Sequence, residues 1–113
     1  MPVTMYHNPR CTTSRRALAL LRERGVGPQI IEYLKTPPSA PELKQILGQL
    51  DMPAAKLLRK KEAAAAGIDP KALSEDALIA AMVAHPIVIE RPIVISGAKA
   101  ALGRPPEAVL SVL

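Results

Sequence analysis

A chain of 113 residues is the length of one domain. With 49% hydrophobic and 22% charged residues it is expected to fold, which sets disorder aside. One cysteine excludes an intramolecular disulfide and a four-cysteine metal site, two tyrosines with no Phe or Trp leave too few rings for a base-stacking platform, and 15 basic against 10 acidic residues give +5, which favours an anionic partner.

The apolar run Val3–Tyr6 predicts a first strand, followed by the turn-like segment His7-Asn8-Pro9-Arg10. Thr12, Thr13 and Ser14 are candidate caps for a helix that carries Leu18 and Leu21 and ends near Gly25. Gln29–Leu34 predicts a second strand, so the opening reads as a βαβ unit over 1–35. After the linker Thr36-Pro37-Pro38-Ser39, Ser39 or its neighbour caps a helix with Leu43, Ile46, Leu47 and Leu50 on one face. Ala54–Leu58 and Ala63–Ala66 predict two short helices, the second closed by Gly67. Ser74 opens a further helix that Pro86 stops, giving a helical insert over about 39–84. Ile87-Val88-Ile89 and Ile93-Val94-Ile95 predict two strands, Gly97 a turn, and Arg104-Pro105-Pro106-Glu107 the start of a last helix, so 87–113 reads as ββα. That order is the order of a thioredoxin-like α/β fold: a small mixed sheet flanked by helices, with a helical insertion.

No basic segment with a long apolar stretch stands at the start, and no apolar run has the length of a membrane span. A lone cysteine without such a signal fits a reducing cytoplasm. The basic residues are scattered and no nucleic-acid-binding motif is present, so no nucleic-acid partner is expected.

Cys11 stands where the first strand hands over to the first helix. There a thiolate meets the positive end of the helix dipole and free backbone N–H groups, and Arg10, Arg15 and Arg16 add positive charge. A nucleophile is favoured over the alternative, a small buried hydrophobe. Cys11-Thr12-Thr13-Ser14 is a C-x-x-S arrangement. Ser14 offers a hydroxyl to the thiolate, or is simply a first-turn residue, but it is no resolving thiol. His7 either tunes the thiolate or is polar filler in the loop. Arg59 ends a helix, Arg91 precedes Pro92 between two strands, and Arg104 precedes Pro105-Pro106. Guanidinium forks suit a tetrahedral oxyanion, and three solvated surface arginines are the other reading. One cysteine and two distant histidines make no metal site.

Taken together, these segments resemble a known family. Tyr6-His7-Asn8-Pro9-Arg10-Cys11-Thr12-Thr13-Ser14-Arg15 is similar to the active-site loop of glutaredoxin-linked arsenate reductases. Leu57-Leu58-Arg59-Lys60, His85-Pro86-Ile87, Arg91-Pro92-Ile93-Val94 and Gly103-Arg104-Pro105-Pro106-Glu107 resemble the family's later motifs, in order, and the likeness runs from Thr4 to Leu113. The resemblance implies a single arsenate-reductase-like domain over 1–113. It implies that the Cys11 thiolate attacks arsenate, that His7 and Ser14 tune it, and that Arg59, Arg91 and Arg104 hold the oxyanion. Asn8, Thr13, Arg15 and Pro92 are implied as supporting residues, with Pro92 matching a cis proline that would place Arg91 beside Cys11. Glutathione as co-substrate and glutaredoxin then resolve the adduct and arsenite leaves. No bound cofactor and a monomeric state are expected.

Two departures stand out: Thr12 occupies a position where better-known members often carry Gly, and some members extend beyond the equivalent of Leu113 with a charged tail. The alternatives are a monothiol glutaredoxin-like deglutathionylase, suggested by C-x-x-S, and a redox-regulatory binding module of the same fold.

Overall fold

The computed structural model describes residues 2–113. In chain order the elements are β1 (Val3–His7), α1 (Thr12–Glu23), β2 (Gln29–Glu32), α2 (Ala40–Leu50), α3 (Ala54–Leu57), α4 (Lys60–Ala65), α5 (Glu75–Ala84), a 3-10 turn (Pro86–Val88), β3 (Ile93–Ser96), β4 (Lys99–Leu102) and a terminal 3-10 helix (Pro106–Val112). They form two compact units: the chain up to Thr36 with Arg91–Leu113, and Pro37–Glu90.

The first unit is built on a four-stranded mixed sheet in the order β2-β1-β3-β4. β1 pairs in parallel with β2 and antiparallel with β3, which pairs antiparallel with β4. Successive strand residues face opposite sides, so Val3, Met5 and His7 share one face of β1. Val3 and Met5 pack there with Val94 of β3, Ala101 of β4, Ala17, Leu18 and Leu21 of α1, and Val109 and Val112 of the terminal helix. Met5, Leu21, Val94 and Val109 are fully buried, each contributing about 1.5–3 kcal/mol of hydrophobic stabilisation. The buried stripe of α1 is Ser14, Ala17, Leu18 and Leu21, the i, i+3, i+4, i+7 pattern of one helix face. A serine therefore sits on an otherwise apolar stripe, directly beside the end of β1. The helix closes with a Schellman arrangement: Gly25 at φ +75°, Gly25 N–H to Arg22 O at 3.0 Å, and Val26 N–H to Leu21 O at 3.0 Å.

The second unit is helical. A capping box starts α2: Ser39 Oγ accepts from Glu42 N–H at 3.2 Å, and Glu42 Oε1 accepts from Ser39 N–H at 3.0 Å. Leu43, Ile46 and Leu47 form its buried face. Ser74 caps α5 through Ala77 N–H at 3.2 Å, and Glu75 Oε2 accepts the Ala54 N–H at 3.0 Å, tying the start of α3 to the start of α5. Leu57 O accepts from Glu90 N–H at 2.8 Å and Val88 O from Arg59 N–H at 2.7 Å, around the isolated bridge Leu58–Ile89.

The mixed sheet and the thioredoxin-like order agree with the sequence reading, and four local expectations are corrected. Ile87-Val88-Ile89 is no strand; Pro86 starts a 3-10 turn and only Ile89 makes a bridge. The partner of β3 is Lys99–Leu102, on a two-residue loop whose first position, Gly97, has φ +60°. The last helix is 3-10 throughout. The strand expected over Gln29–Leu34 stops at Glu32, whose carbonyl accepts from both Lys35 and Thr36. Among the described residues no helix is long and apolar enough to cross a membrane.

Candidate active site

The segment from His7 to Cys11 leaves the sheet and enters α1 through a turn held by its own polar groups. Asn8, which is buried, does most of the holding: its carbonyl accepts from Cys11 N–H at 3.0 Å and its Oδ1 from Arg10 N–H at 3.0 Å. Its own N–H donates to Ser14 Oγ at 3.1 Å. The N-cap of α1 is Cys11 itself, and Thr12, Thr13 and Ser14, expected as caps, form the first helical turn. The sulfur thus stands where a capping oxygen would, facing the unsatisfied N–H groups of that turn.

Cys11 is half-buried, and its thiol is held below the ordinary cysteine range. Burial acts against the thiolate and is the largest single influence; it is outweighed by the Ser14 N–H, the hydrogen bond and charge of the Arg91 guanidinium, and the Thr13 N–H. Arg91 is itself 9% exposed, and the Arg91–Pro92 peptide is cis, as the resemblance implied. Arg104 reaches the sulfur from another direction: its Nη2 lies 3.8 Å from Cys11 Sγ while its Nε donates to Arg91 O at 2.9 Å. Two guanidinium groups and a helix N-terminus therefore converge on one thiol, an arrangement suited to a thiolate nucleophile and a small oxyanion.

Ser14 is fully buried, and its hydroxyl is engaged away from the position read for it in the sequence. Its Oγ is 2.6 Å from His7 Nδ1 and accepts the Asn8 N–H; what reaches the sulfur from Ser14 is its backbone N–H. His7 is 6% exposed, and its pKa is lowered, first by burial, with Glu32 opposing and Arg22 assisting. The ring is neutral at neutral pH and serves the loop as a hydrogen-bonding partner. Arg15 is exposed and donates to Thr12 Oγ1 at 3.4 Å.

Arg59 belongs to the helical unit, where its guanidinium is held by two carboxylates. Nη1 donates to Glu90 Oε1 at 2.6 Å and Nε stands 3.2 Å from Glu62 Oε2. Burial opposes its charge, but the two carboxylates more than compensate and raise its pKa. Neither glutamate was singled out in the sequence, although Arg59-x-x-Glu62 at a helix start is a legible i, i+3 pair. Gly103 likewise carries no signal in the sequence beyond its place in Gly103-Arg104-Pro105-Pro106-Glu107. A Cβ on Gly103 would lie 2.6 Å from Pro92 Cγ. Among the described residues no three His, Cys, Asp or Glu side chains cluster as a metal set.

A thioredoxin-like sheet with a depressed-pKa cysteine at a helix N-terminus defines a class of thiol-based domains. Residues 6–112 match the model of the ArsC family, and the chain belongs to that family. It is 47% identical to the uncharacterized protein YfgD of Escherichia coli K12, over 98% of this chain and 96% of that one. It is 44% identical to an arsenate reductase of Neisseria meningitidis serogroup A, over 98% and 97%. The solved structure of an arsenate reductase from Vibrio cholerae superposes with a TM-score of 0.89 at 47% identity, covering 100% of this chain and 98% of that one.

Proposed function

We propose that this chain is a cytoplasmic, monomeric arsenate reductase that draws its electrons from glutathione and glutaredoxin. The observation that carries the reading is the Cys11 sulfur at the head of α1 with Arg91 and Arg104 against it. The relatives named arsenate reductase support the choice of oxyanion. Arsenate and a thiolate are both negative, so approach is repulsive until cations offset it. Arg91 and Arg104 supply that charge at the sulfur, and Arg59 is proposed as the third arginine of the oxyanion set.

In this mechanism the Cys11 thiolate bonds to As(V) and an arsenate oxygen leaves as water after protonation. A glutathione thiolate then bonds to arsenic, displacing a second oxygen. A glutaredoxin thiolate attacks the glutathione sulfur, the arsenic–sulfur bond breaks, and its electron pair reduces As(V) to As(III). The two external sulfurs, having given two electrons to arsenic, leave as the glutathione–glutaredoxin mixed disulfide, and hydrolysis of the remaining Cys11–As(III) bond frees arsenite and the Cys11 thiol. With Cys11 the chain's sole cysteine, the resolving thiols must come from outside. His7, Ser14, Asn8 and Thr13 keep the loop in the shape that presents Cys11; Pro92 carries Arg91 into place, and Arg15 borders the loop.

The test is an NADPH-coupled assay with glutathione, glutathione reductase and glutaredoxin, run on the wild type and Cys11→Ser in parallel. Arsenate-dependent NADPH oxidation by the wild type alone is expected, with little rate when thioredoxin and its reductase replace the glutathione system. No arsenate-dependent turnover with partners of proven activity overturns the reading. Arsenate-independent reduction of a glutathione mixed disulfide would instead favour a deglutathionylase.

A further inference from the structure

We propose that Gly103 is a positioning residue: its missing side chain lets the 102–104 segment seat on Pro92, and that seat aims Arg104 across the Arg91 carbonyl at Cys11. The inference rests on the reading of Arg104 as an oxyanion ligand beside the thiolate.

Gly103 is not selected by backbone conformation, since its φ lies outside the left-handed region that Gly25, Gly67 and Gly97 occupy. It is selected by space. A Cβ there would meet Pro92 Cγ at 2.6 Å, Pro92 Cδ at 3.0 Å and Val109 Cγ1 at 3.0 Å, whereas a Cβ on Gly25, Gly27, Gly48 or Gly67 meets nothing within 4 Å. Neither neighbour can give way easily. Pro92 and Val109 are both among the fully buried side chains, and a proline ring has no rotamer to escape into.

The close seat fixes the backbone on both sides of the glycine. Gly103 N–H donates to Pro92 O at 2.8 Å, and Arg104 N–H donates to Leu102 O at 2.9 Å, a three-residue turn centred on Gly103. That turn swings the chain so that Arg104 Nε meets Arg91 O at 2.9 Å, leaving Nη2 directed at Sγ, 3.8 Å away. An alanine at 103 must push the segment off Pro92. Such a shift displaces a guanidinium whose value lies in its direction.

The test reads the charge beside the sulfur without requiring any arsenate chemistry. Cys11 is alkylated with iodoacetate, which is an anion, and with iodoacetamide, which is neutral, and the ratio of the two rates is compared across variants. Gly103→Ala and Arg104→Ala should each lower the iodoacetate preference roughly tenfold, the loss of one charge-assisted hydrogen bond. The double variant should fall no further than Arg104→Ala, because the two residues act as a unit. Arg104→Lys keeps the charge but not the two-point fix, and should lose preference as well. Gly103→Ala with lowered thermal stability and an unchanged ratio overturns the proposal, as does an additive double variant. Should Gly103→Ala fail to fold, Gly103→Ala/Val109→Ala, which removes one of the three close contacts, carries the same comparison, and a wild-type ratio in Arg104→Lys overturns the aiming by itself. A wild type with the iodoacetate preference but no arsenate turnover, and variants that lose that preference, would support the positioning while sinking the arsenate reading.

Discussion

His7 Nδ1 and Ser14 Oγ lie 2.6 Å apart, and both side chains are buried, one at the end of β1 and the other on the inward stripe of α1. The same hydroxyl accepts the Asn8 N–H at 3.1 Å. One serine oxygen thus ties together the strand end, the turn and the helix that present Cys11.

Removing that oxygen leaves a buried imidazole nitrogen and a buried backbone N–H without this partner. Ser14→Ala should therefore lower folding stability by about 2 kcal/mol, the cost of unsatisfied buried polar groups. Denaturant titration should show a lower midpoint with an unchanged slope. Because the Ser14 N–H toward the sulfur survives the substitution, the Cys11 thiol should shift less than it does on loss of Arg91.

The same pair makes stability sensitive to acid. Burial lowers the pKa of His7 in the folded protein, so protonation favours the unfolded chain. The contribution is fully present above the unfolded pKa of about 6.5 and is lost as pH falls from there through the folded value. Wild-type stability should decline from about pH 6.5 downward, before the carboxylates titrate. His7→Asn should be less stable at neutral pH but flatter over that interval, and denaturation at a series of pH values checks both.

Several of these relationships were open to sequence reasoning. Cys11 at a strand–helix junction announces its own electrostatics, and Ser39 and Ser74 announce the helices they cap. Ser14 on an apolar stripe was a readable sign of a buried hydroxyl, but its partner depends on His7 ending β1 on the same face, a matter of register. β4 is not legible in the sequence, because Lys-Ala-Ala-Leu has low strand propensity and pairs only because β3 and the Gly97 turn bring it alongside. Ile87-Val88-Ile89 is ambiguous for the opposite reason: three apolar residues after a proline carry too little periodicity to tell a strand from a buried turn. The carboxylates on Arg59 and the room required by Gly103 come from contacts distant in sequence.

Arg91 beside Cys11 predicts a titration. Arg91→Ala should raise the Cys11 pKa toward the ordinary value, as read by ultraviolet thiolate absorbance or by the pH dependence of iodoacetamide alkylation. The folded pKa is depressed, so the thiolate stabilises the fold at high pH and the benefit is lost as pH falls through the folded pKa. The stability of wild type relative to Cys11→Ser should accordingly grow as pH rises from that value to about 8.5. Arg91→Ala should shrink the difference. A Cys11 titration unmoved by Arg91→Ala contradicts the assignment of Arg91 to the thiolate.

Arg59 separates structure from function in a different way. Its guanidinium lies between Glu62 and Glu90, with side chains only 22%, 28% and 21% exposed in that order, so the cluster carries one positive and two negative charges out of full solvent screening. Arg59→Ala leaves the carboxylates with no cation between them and should cost about 2 kcal/mol of stability. Glu90→Gln keeps an acceptor for Arg59 but removes a charge, and a double-mutant cycle of the two should show coupling of about 1 kcal/mol. If Arg59 also serves the oxyanion, the two substitutions diverge in kinetics. Arg59→Ala should raise the KM for arsenate, whereas Glu90→Gln frees positive charge and should lower it. A KM for arsenate left unchanged by both variants, with stability lowered, would mean that Arg59 serves only to hold its own unit together.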